Sequence, residues 1–281
     1  MTLSAFDPTA FSAREYNQSY FSTVMQDERL LLRWLATSGV THLIDADTNL
    51  RRPGQRSLLD VGSGPTIHHM LSLCREADEI VVSDYLAENL AEIQLWLDGG
   101  DHAHNWTPFT RDILAAEGTT PTRSRIRRRE SLLRAKVKKL VSIDLRSPCP
   151  LYPAMPGEAS IGQPQFDVVT SFYCADSATP CMEEFHSMIA NMATLVAPGG
   201  SFIGSFLGGC RAYSVGTRWL PSANLDANDI ALALGQSGMI VNELTCFETP
   251  DLEDHGFDHI YVTAASKVAD APARVSRSLP G

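Results

Sequence analysis

Residues 57 to 70 read Ser-Leu-Leu-Asp-Val-Gly-Ser-Gly-Pro-Thr-Ile-His-His-Met, an apolar strand, a glycine turn and a helix start in direct succession. Leu58, Leu59 and Val61 suit a strand buried on both faces. Asp60 sits at its carboxyl end, and Gly62 and Gly64 let the backbone turn sharply and approach a ligand. This order commits the chain to an α/β fold with a parallel sheet and a ligand at its strand ends. A second acid follows: Ile80-Val81-Val82-Ser83-Asp84 reads as the next parallel strand. Its terminal carboxylate stands about 20 positions beyond the glycines, where it can bind both hydroxyls of a ribose.

What the turn lacks narrows the ligand. Gly62-Ser63-Gly64-Pro65-Thr66 has no third glycine at dinucleotide spacing and no Gly-Lys-Ser/Thr ending for a triphosphate. S-adenosylmethionine carries a ribose, an adenine, a sulfonium and an amino acid but no phosphate. A short glycine turn with an acidic ribose clamp is enough for it. A lone G-x-G would read as any tight strand-to-helix turn; the paired acidic strand end points to the cofactor.

The 281 residues can bury one large core, and the net charge of −10 opposes generic nucleic-acid binding, which needs a basic face. The six cysteines form no C-x-x-C pair and do not cluster with His at zinc spacing, so reduced thiols and no metal site are expected. The opening Met1 to Pro8 lacks the basic start and apolar core of a signal peptide, and no apolar run approaches a membrane span. A cytosolic protein acting on small molecules is expected.

Apolar spacing predicts an N-terminal helical cap over Phe11 to Leu35 and a polar loop over Ala46 to Arg56, giving a cap of residues 1–56 before a core of 57–268. Helices Ile67 to Arg75 and Asn89 to Leu97 follow the first two strands. Strands at Leu140 to Asp144 and Phe166 to Phe172 come next, then a helix from Met182 to Leu195 stopped by Pro198-Gly199-Gly200 before a strand at Ser201 to Gly204. Helix Ala227 to Ser237 and strands at Ile240 to Thr245 and Ile260 to Ala264 complete the pattern. It predicts a Rossmann-like, seven-stranded, mostly parallel sheet with an antiparallel end hairpin, helices on both faces and an N-terminal helical lid. Residues 269–281, rich in Pro, Ser and Ala, read as a flexible tail.

Residues 121 to 139 are strongly basic against an acidic chain. They read either as a surface for an anionic partner or, as charge runs more often do, as a solvated helix whose Ile126, Leu132, Leu133 and Val137 pack inward.

The runs Leu59-Asp-Val-Gly-Ser-Gly-Pro-Thr-Ile67 and Glu79-Ile-Val-Val-Ser-Asp-Tyr85, continuing to Asn89-Leu90, closely resemble the nicotinamide, phenylethanolamine and indolethylamine N-methyltransferases. Phe11-Ser-Ala-Arg-Glu-Tyr16 is similar to that family's N-terminal lid, and Pro198-Gly199-Gly200 falls at its place, so the likeness covers about residues 11 to 267. The resemblance implies an S-adenosylmethionine-dependent methyltransferase of small amines or aromatic nitrogen heterocycles. It places Gly62, Ser63 and Thr66 along the methionine part, Asp84 on the ribose with Tyr85 and Asn89 beside it, and Asp144 and Leu145 at the adenine; Asp60, Gly64 and Phe172 are further cofactor candidates, Phe172 also as a stacking face for the substrate. Tyr16 matches the lid tyrosine, with Tyr20 closing over the substrate. Phe21 and His68 stand where the family has tyrosines, so contacts to the cofactor carboxylate must be rebuilt there.

Gly204-Ser-Phe-Leu-Gly-Gly209 carries no acid where the family commonly has one after the Pro-Gly-Gly strand. An ammonium without a counter-charge is costly in a closed pocket, which favours a neutral, flat aromatic substrate. Tyr173, Ser205, Phe206 and Tyr213 are candidate contacts for it, with Tyr20. In the segment Asp251 to His259, which otherwise reads as an exposed acidic turn, His255, Asp254 or Asp258 is a candidate to orient or accept a substrate N–H. Methylation of an electron-rich ring carbon, as on an indole, is the nearest rival, and a non-catalytic S-adenosylmethionine sensor is the rival from another class.

Overall fold

The computed structural model describes residues 11–46, 56–151, 164–249 and 256–269. Strands β1 (Ser57–Val61), β2 (Glu79–Asp84), β3 (Val137–Ser142), β4 (Phe166–Phe172) and β5 (Val196–Gly208) pair in parallel. Later in the chain, β8 (Met239–Glu248) and β9 (His259–Lys267) add an antiparallel end, and the order is β3-β2-β1-β4-β5-β9-β8. The chain works outward from β1 to β3 and then restarts at β4 on the other side. The carboxyl ends of β1 and β4 therefore flank a topological switch point, where open α/β sheets bind ligands.

Period-two alternation divides two cores across the sheet. Leu58, Ile80, Val82, Val168, Ile203 and Val262 face one core. It is covered by helices α1 (Ala13–Phe21), α2 (Gln26–Trp34), α4 (His68–Leu73), α5 (Ala87–Leu97), α6 (Thr107–Ala116) and α7 (Arg123–Lys136), together with α3 (Val40–Ala46). Leu59, Val61, Val81, Val169, Phe202 and Phe206 face the other core, under α9 (Met182–Thr194) and α10 (Ala227–Gln236). A four-residue α8 (Ala175–Ala178) follows β4.

The N-terminal helical cap is divided into separate helices. Ser12 caps α1, accepting from the Glu15 N–H at 3.4 Å, and the chain breaks before α2 restarts with Asp27 and Glu28 in its first turn. A π-helical turn, Leu35–Gly39, then joins α2 to α3. Strand β3 begins at Val137, directly after α7, rather than at Leu140. Strand β5 begins before Pro198-Gly199-Gly200, because Val196 pairs with Phe166 and the register then shifts over the glycines. A short hairpin, β6 (Ala212–Val215) and β7 (Arg218–Pro221), has no counterpart in the predicted pattern.

The basic helix packs inward. Ile126 and Leu133 are buried and Leu132 and Val137 partly so. Arg129 is buried too, giving two hydrogen bonds to the Glu117 carboxylate at 2.8 and 2.6 Å and one to Leu71 O at 2.8 Å. Arg134 lies 3.7 Å above the Trp96 ring.

Candidate active site

A cleft of about 1390 Å³, counting the solvent at its mouth, opens at the switch point. Its floor is the glycine turn. Gly62 and Gly64 have φ of 64° and 59°, and a Cβ on Gly62 would meet Cys174 Sγ at 2.0 Å, so this position is closed to side chains by handedness and by packing. Thr66 Oγ1 donates to Ser63 O at 2.8 Å, and the Ser63 N–H donates to Ser83 O at 3.0 Å, which tie the turn to itself and to β2.

Asp84 joins β2 to that turn. Its carboxylate accepts from the Gly64 N–H at 2.8 Å, the Leu86 N–H at 2.8 Å and Asn89 Nδ2 at 3.0 Å. Burial pushes its carboxyl up despite these donors. Asn89 Oδ1 is buried with no hydrogen-bond partner among the described residues. A vicinal diol offers two donors, one for this orphaned acceptor and one for Asp84. Ile143, Asp144, Leu145 and Met188 line the next wall, which suits a flat base, with Tyr85 half-exposed at the rim.

Helix α1 lies over the turn. Asn17 Nδ2 donates to Pro65 O at 3.0 Å, and the Ala13 N–H donates to Glu88 Oε1 at 3.2 Å. From this helix Tyr16, Tyr20 and Phe21 enter the cleft, Tyr16 5.1 Å from Tyr20 and 5.7 Å from Phe21 between ring centroids. Tyr20 Oη donates to Ser214 O at 2.7 Å, so the unforeseen β6–β7 hairpin closes the same end and brings in Tyr213. Burial, then Tyr20, Glu28, Asp176 and Asp84 in turn, hold the Tyr16 hydroxyl far above the ordinary tyrosine range. Phe172 ends β4 in the cleft and Tyr173 follows it there, taking φ of 53°, a strained value for a non-glycine residue, with its N–H on Ser205 O at 3.0 Å.

Not every residue singled out in the sequence reaches the cleft. Asp60 is buried beneath it, accepting from Thr170 Oγ1 at 2.6 Å and bracing β1 against β4. His68 is fully buried, stacked on Trp106 at 4.9 Å between centroids. Ser205 is buried and supports Tyr173 through its carbonyl. Phe206 points through the sheet to the opposite core, 5.9 Å from Phe185, because residues alternate along β5 and its neighbour Leu207 takes the cleft side. His255 and Asp254 lie outside the described residues.

The structure adds groups that the sequence pattern did not single out. Asp27 and Glu28 of α2 line the cleft, so where Gly204 to Gly209 of β5 and the turn after it carry no acid, the N-terminal cap supplies one. Glu28 Oε1 accepts from His68 Nε2 and His69 Nε2, each at 3.0 Å, and all three residues are buried. Burial alone would raise the Glu28 carboxyl, but the neighbouring His69 and His68 outweigh it and hold it below the usual range. His68 is pushed down to about 4, first by burial and then by His69. Asp176, just behind Ser177, is pushed up to about 7 by burial, against hydrogen bonds including the Leu207 N–H at 2.9 Å. The one signal in the sequence was the His68-His69 pair itself, directly after the glycine turn.

A model of the NNMT/PNMT/TEMT family matches residues 4–264. The chain belongs to that family. Among curated relatives, phenylethanolamine N-methyltransferase of Sus scrofa is 28% identical over 207 residues, 73% of this chain and 70% of that protein. Indolethylamine N-methyltransferase of Mus musculus is 30% identical over 67% of this chain and 68% of its own length, and nicotinamide N-methyltransferase of Homo sapiens is 30% identical over 66% of each. Among solved structures, magnesium protoporphyrin IX methyltransferase from Synechocystis PCC 6803 with bound SAM aligns with TM-score 0.53 at 17% identity, covering 95% of this chain and all of that one, a likeness of fold. The family member described here is an S-adenosylmethionine-dependent small-molecule methyltransferase, and no helix among its described residues is long and apolar enough to cross a membrane.

Proposed function

We propose that this chain methylates an aromatic nitrogen heterocycle or an arylalkylamine small enough to lie between Tyr16, Tyr20, Phe172, Tyr173 and Tyr213. The observation that carries the reading is the continuity of the cleft: the turn and Asp84 at one end, and this aromatic chamber at the other. On this reading Gly62, Ser63, Gly64 and Thr66 face the methionine part, Asp84 and Asn89 the ribose, and Asp144 and Leu145 the adenine. Residues 11–46 serve as the lid over the core. S-adenosylmethionine supplies a methyl group on a sulfonium. The chain aligns the acceptor with it, excludes water and presents stacking faces, which lower the barrier to an in-line displacement.

Glu28 and Asp27 put negative charge beside the chamber, which suits a neutral acceptor on which positive charge develops as the methyl group arrives. Ring-carbon methylation of an indole is the second reading, favoured by a histidine ring at the chamber wall that can take the indole N–H proton. Calorimetric titration with S-adenosylmethionine, with NADH as control, tests the cofactor end. Turnover with indoles, pyridines and arylethylamines, with product fragmentation by mass spectrometry, tests the acceptor. Binding without turnover on any acceptor would instead support a sensor.

A further inference from the structure

Two adjacent histidines and a glutamate 40 and 41 residues away meet at one oxygen atom. Glu28 Oε1 can accept two hydrogen bonds only if both imidazoles present an N–H at Nε2. With both rings neutral, each Nδ1 is then a bare lone pair. For His68 that lone pair is buried with no partner and is shut away between Phe21, 4.6 Å distant, and Trp106. For His69 the outcome differs. Its ring lines the cleft, stacked on Phe172 at 4.2 Å and 6.1 Å from Tyr173, and among the described residues nothing bonds its Nδ1.

From this geometry we infer that His69 is the general base of the reaction and Glu28 its positioning residue. Resting on the methyl-transfer reading above, the assignment names the acceptor class: an aromatic compound that must lose an N–H proton on methylation, such as an indole or the free base of an arylamine or arylalkylamine. A pyridine-type nitrogen, which is quaternised without losing a proton, needs no such base. The acceptor's electron pair forms the new bond to methyl, and the pair of the broken carbon–sulfur bond stays on sulfur. The acceptor N–H proton passes to His69 Nδ1. The positive charge brought in on the sulfonium thus ends on the imidazolium, held against the Glu28 carboxylate. A carboxylate fixing the tautomer of a histidine and stabilising its charged form is the logic of hydrolase triads.

A divalent metal is the competing occupant, since the three ligand atoms lie within 4.8 Å of one another. The orphaned His68 Nδ1 decides against it. With a metal on Nε2, Nδ1 would carry its hydrogen, and metal-bound histidines almost always give that N–H to an acceptor. Here none is in reach among the described residues. As a lone pair the same atom is left without a donor, the lesser fault.

The test joins a spectroscopic and a kinetic arm on the full chain. Long-range proton–nitrogen correlation of nitrogen-15 histidine-labelled protein should show His69 protonated at Nε2 and bare at Nδ1 near neutral pH, with that tautomer's share reduced in Glu28→Gln. In His69→Gln, kcat on indole or arylalkylamine acceptors should fall roughly 10²- to 10⁴-fold. The acid limb of its pH profile should vanish, while S-adenosylhomocysteine affinity, which certifies the fold, stays within about twofold. The charged and titrating neighbours of His69 are Glu28 and Asp27 on α2, His68 on α4, Asp60 on β1 and Tyr173 after β4, so the limb must be read against Glu28→Gln as well. Retained kcat in His69→Gln, an Nδ1–H tautomer, equal loss on pyridine acceptors, or one tightly held divalent metal per chain that Glu28→Gln releases would each overturn the assignment. A wild type that methylates nothing refutes the methyl-transfer reading, and the base with it, before any variant is made.

Discussion

Replacing Gly62 with alanine strikes the turn in two separable ways. The left-handed φ of 64° would cost a residue with Cβ about 1–2 kcal/mol. The new methyl would also stand 2.0 Å from Cys174 Sγ and 2.7 Å from its Cβ, an overlap that β1 and the end of β4 relieve only by moving apart. Overpacking of this kind costs about 1–3 kcal/mol, so Gly62→Ala should lose about 2–5 kcal/mol in all. Cys174→Gly removes both overlapping atoms and leaves the handedness cost untouched. In that background Gly62→Ala should cost only about 1–2 kcal/mol, a coupling of about 1–3 kcal/mol between the two positions. Urea unfolding of the four proteins, with m unchanged, measures it. Calorimetric titration with S-adenosylhomocysteine should show the affinity lost in Gly62→Ala partly regained in the double variant. If Gly62→Ala costs the same with and without Cys174, to within about 0.5 kcal/mol, then the turn does not rest on that thiol and the packing argument fails.

The remaining predictions concern charge and closure. Asp176, with its carboxyl raised to about 7, binds a proton in the folded state that the unfolded chain releases near pH 4, so its contribution to stability falls as pH rises between those values. His68, lowered to about 4, does the reverse: the unfolded chain takes up its proton near pH 6.5, and stability falls as pH drops from there. Each slope approaches about 1.4 kcal/mol per pH unit, and the two oppose one another. Asp176→Asn should therefore gain on wild type by on the order of 1–2 kcal/mol as pH rises from about 5 to about 6.5, and His68→Gln should lose by a similar amount, read from urea midpoints at both pH values. Parallel midpoints in wild type and variants would sink the assignment. Among the described residues, Arg129→Ala leaves the carboxylate of Glu117 with only Arg75 as a cationic partner, at 3.7 Å, and should destabilise by about 3 kcal/mol; a loss under about 1 kcal/mol would make the pair a surface contact in effect. Tyr16→Ala should lower kcat/KM by at least about tenfold under conditions where urea unfolding shows the variant still folded, and unchanged turnover would remove the lid from the mechanism.

The opening strand, its glycine turn and the acid closing β2 were legible because each rests on local chemistry: a strand buried on both faces, a φ open to glycine, a carboxylate at a fixed distance along one βαβ unit. The helices over Met182–Thr194 and Ala227–Gln236 were legible for the same reason, in periodicity and in the residues that stop them. Boundaries that depend on a partner were not. β5 runs back through Pro198-Gly199-Gly200 only because Phe166 offers Val196 a place to pair, and β6–β7 is held where Tyr20 meets Ser214.

The sequence by itself therefore determined the architecture, the family and the glycine turn with its paired acid at one end of the cleft, all encoded within short stretches of chain. Tertiary structure alone decided the aromatic end. The face taken by Phe206 follows from the register of β5, and the acid of the chamber comes from α2, far from the strand where the family pattern led one to seek it. Glu28 and His69 are strangers in sequence, and only the packing of the N-terminal cap against α4 makes them neighbours. Burial there pushes the His68 imidazole below its ordinary range, and the two histidines hold the Glu28 carboxyl below its own.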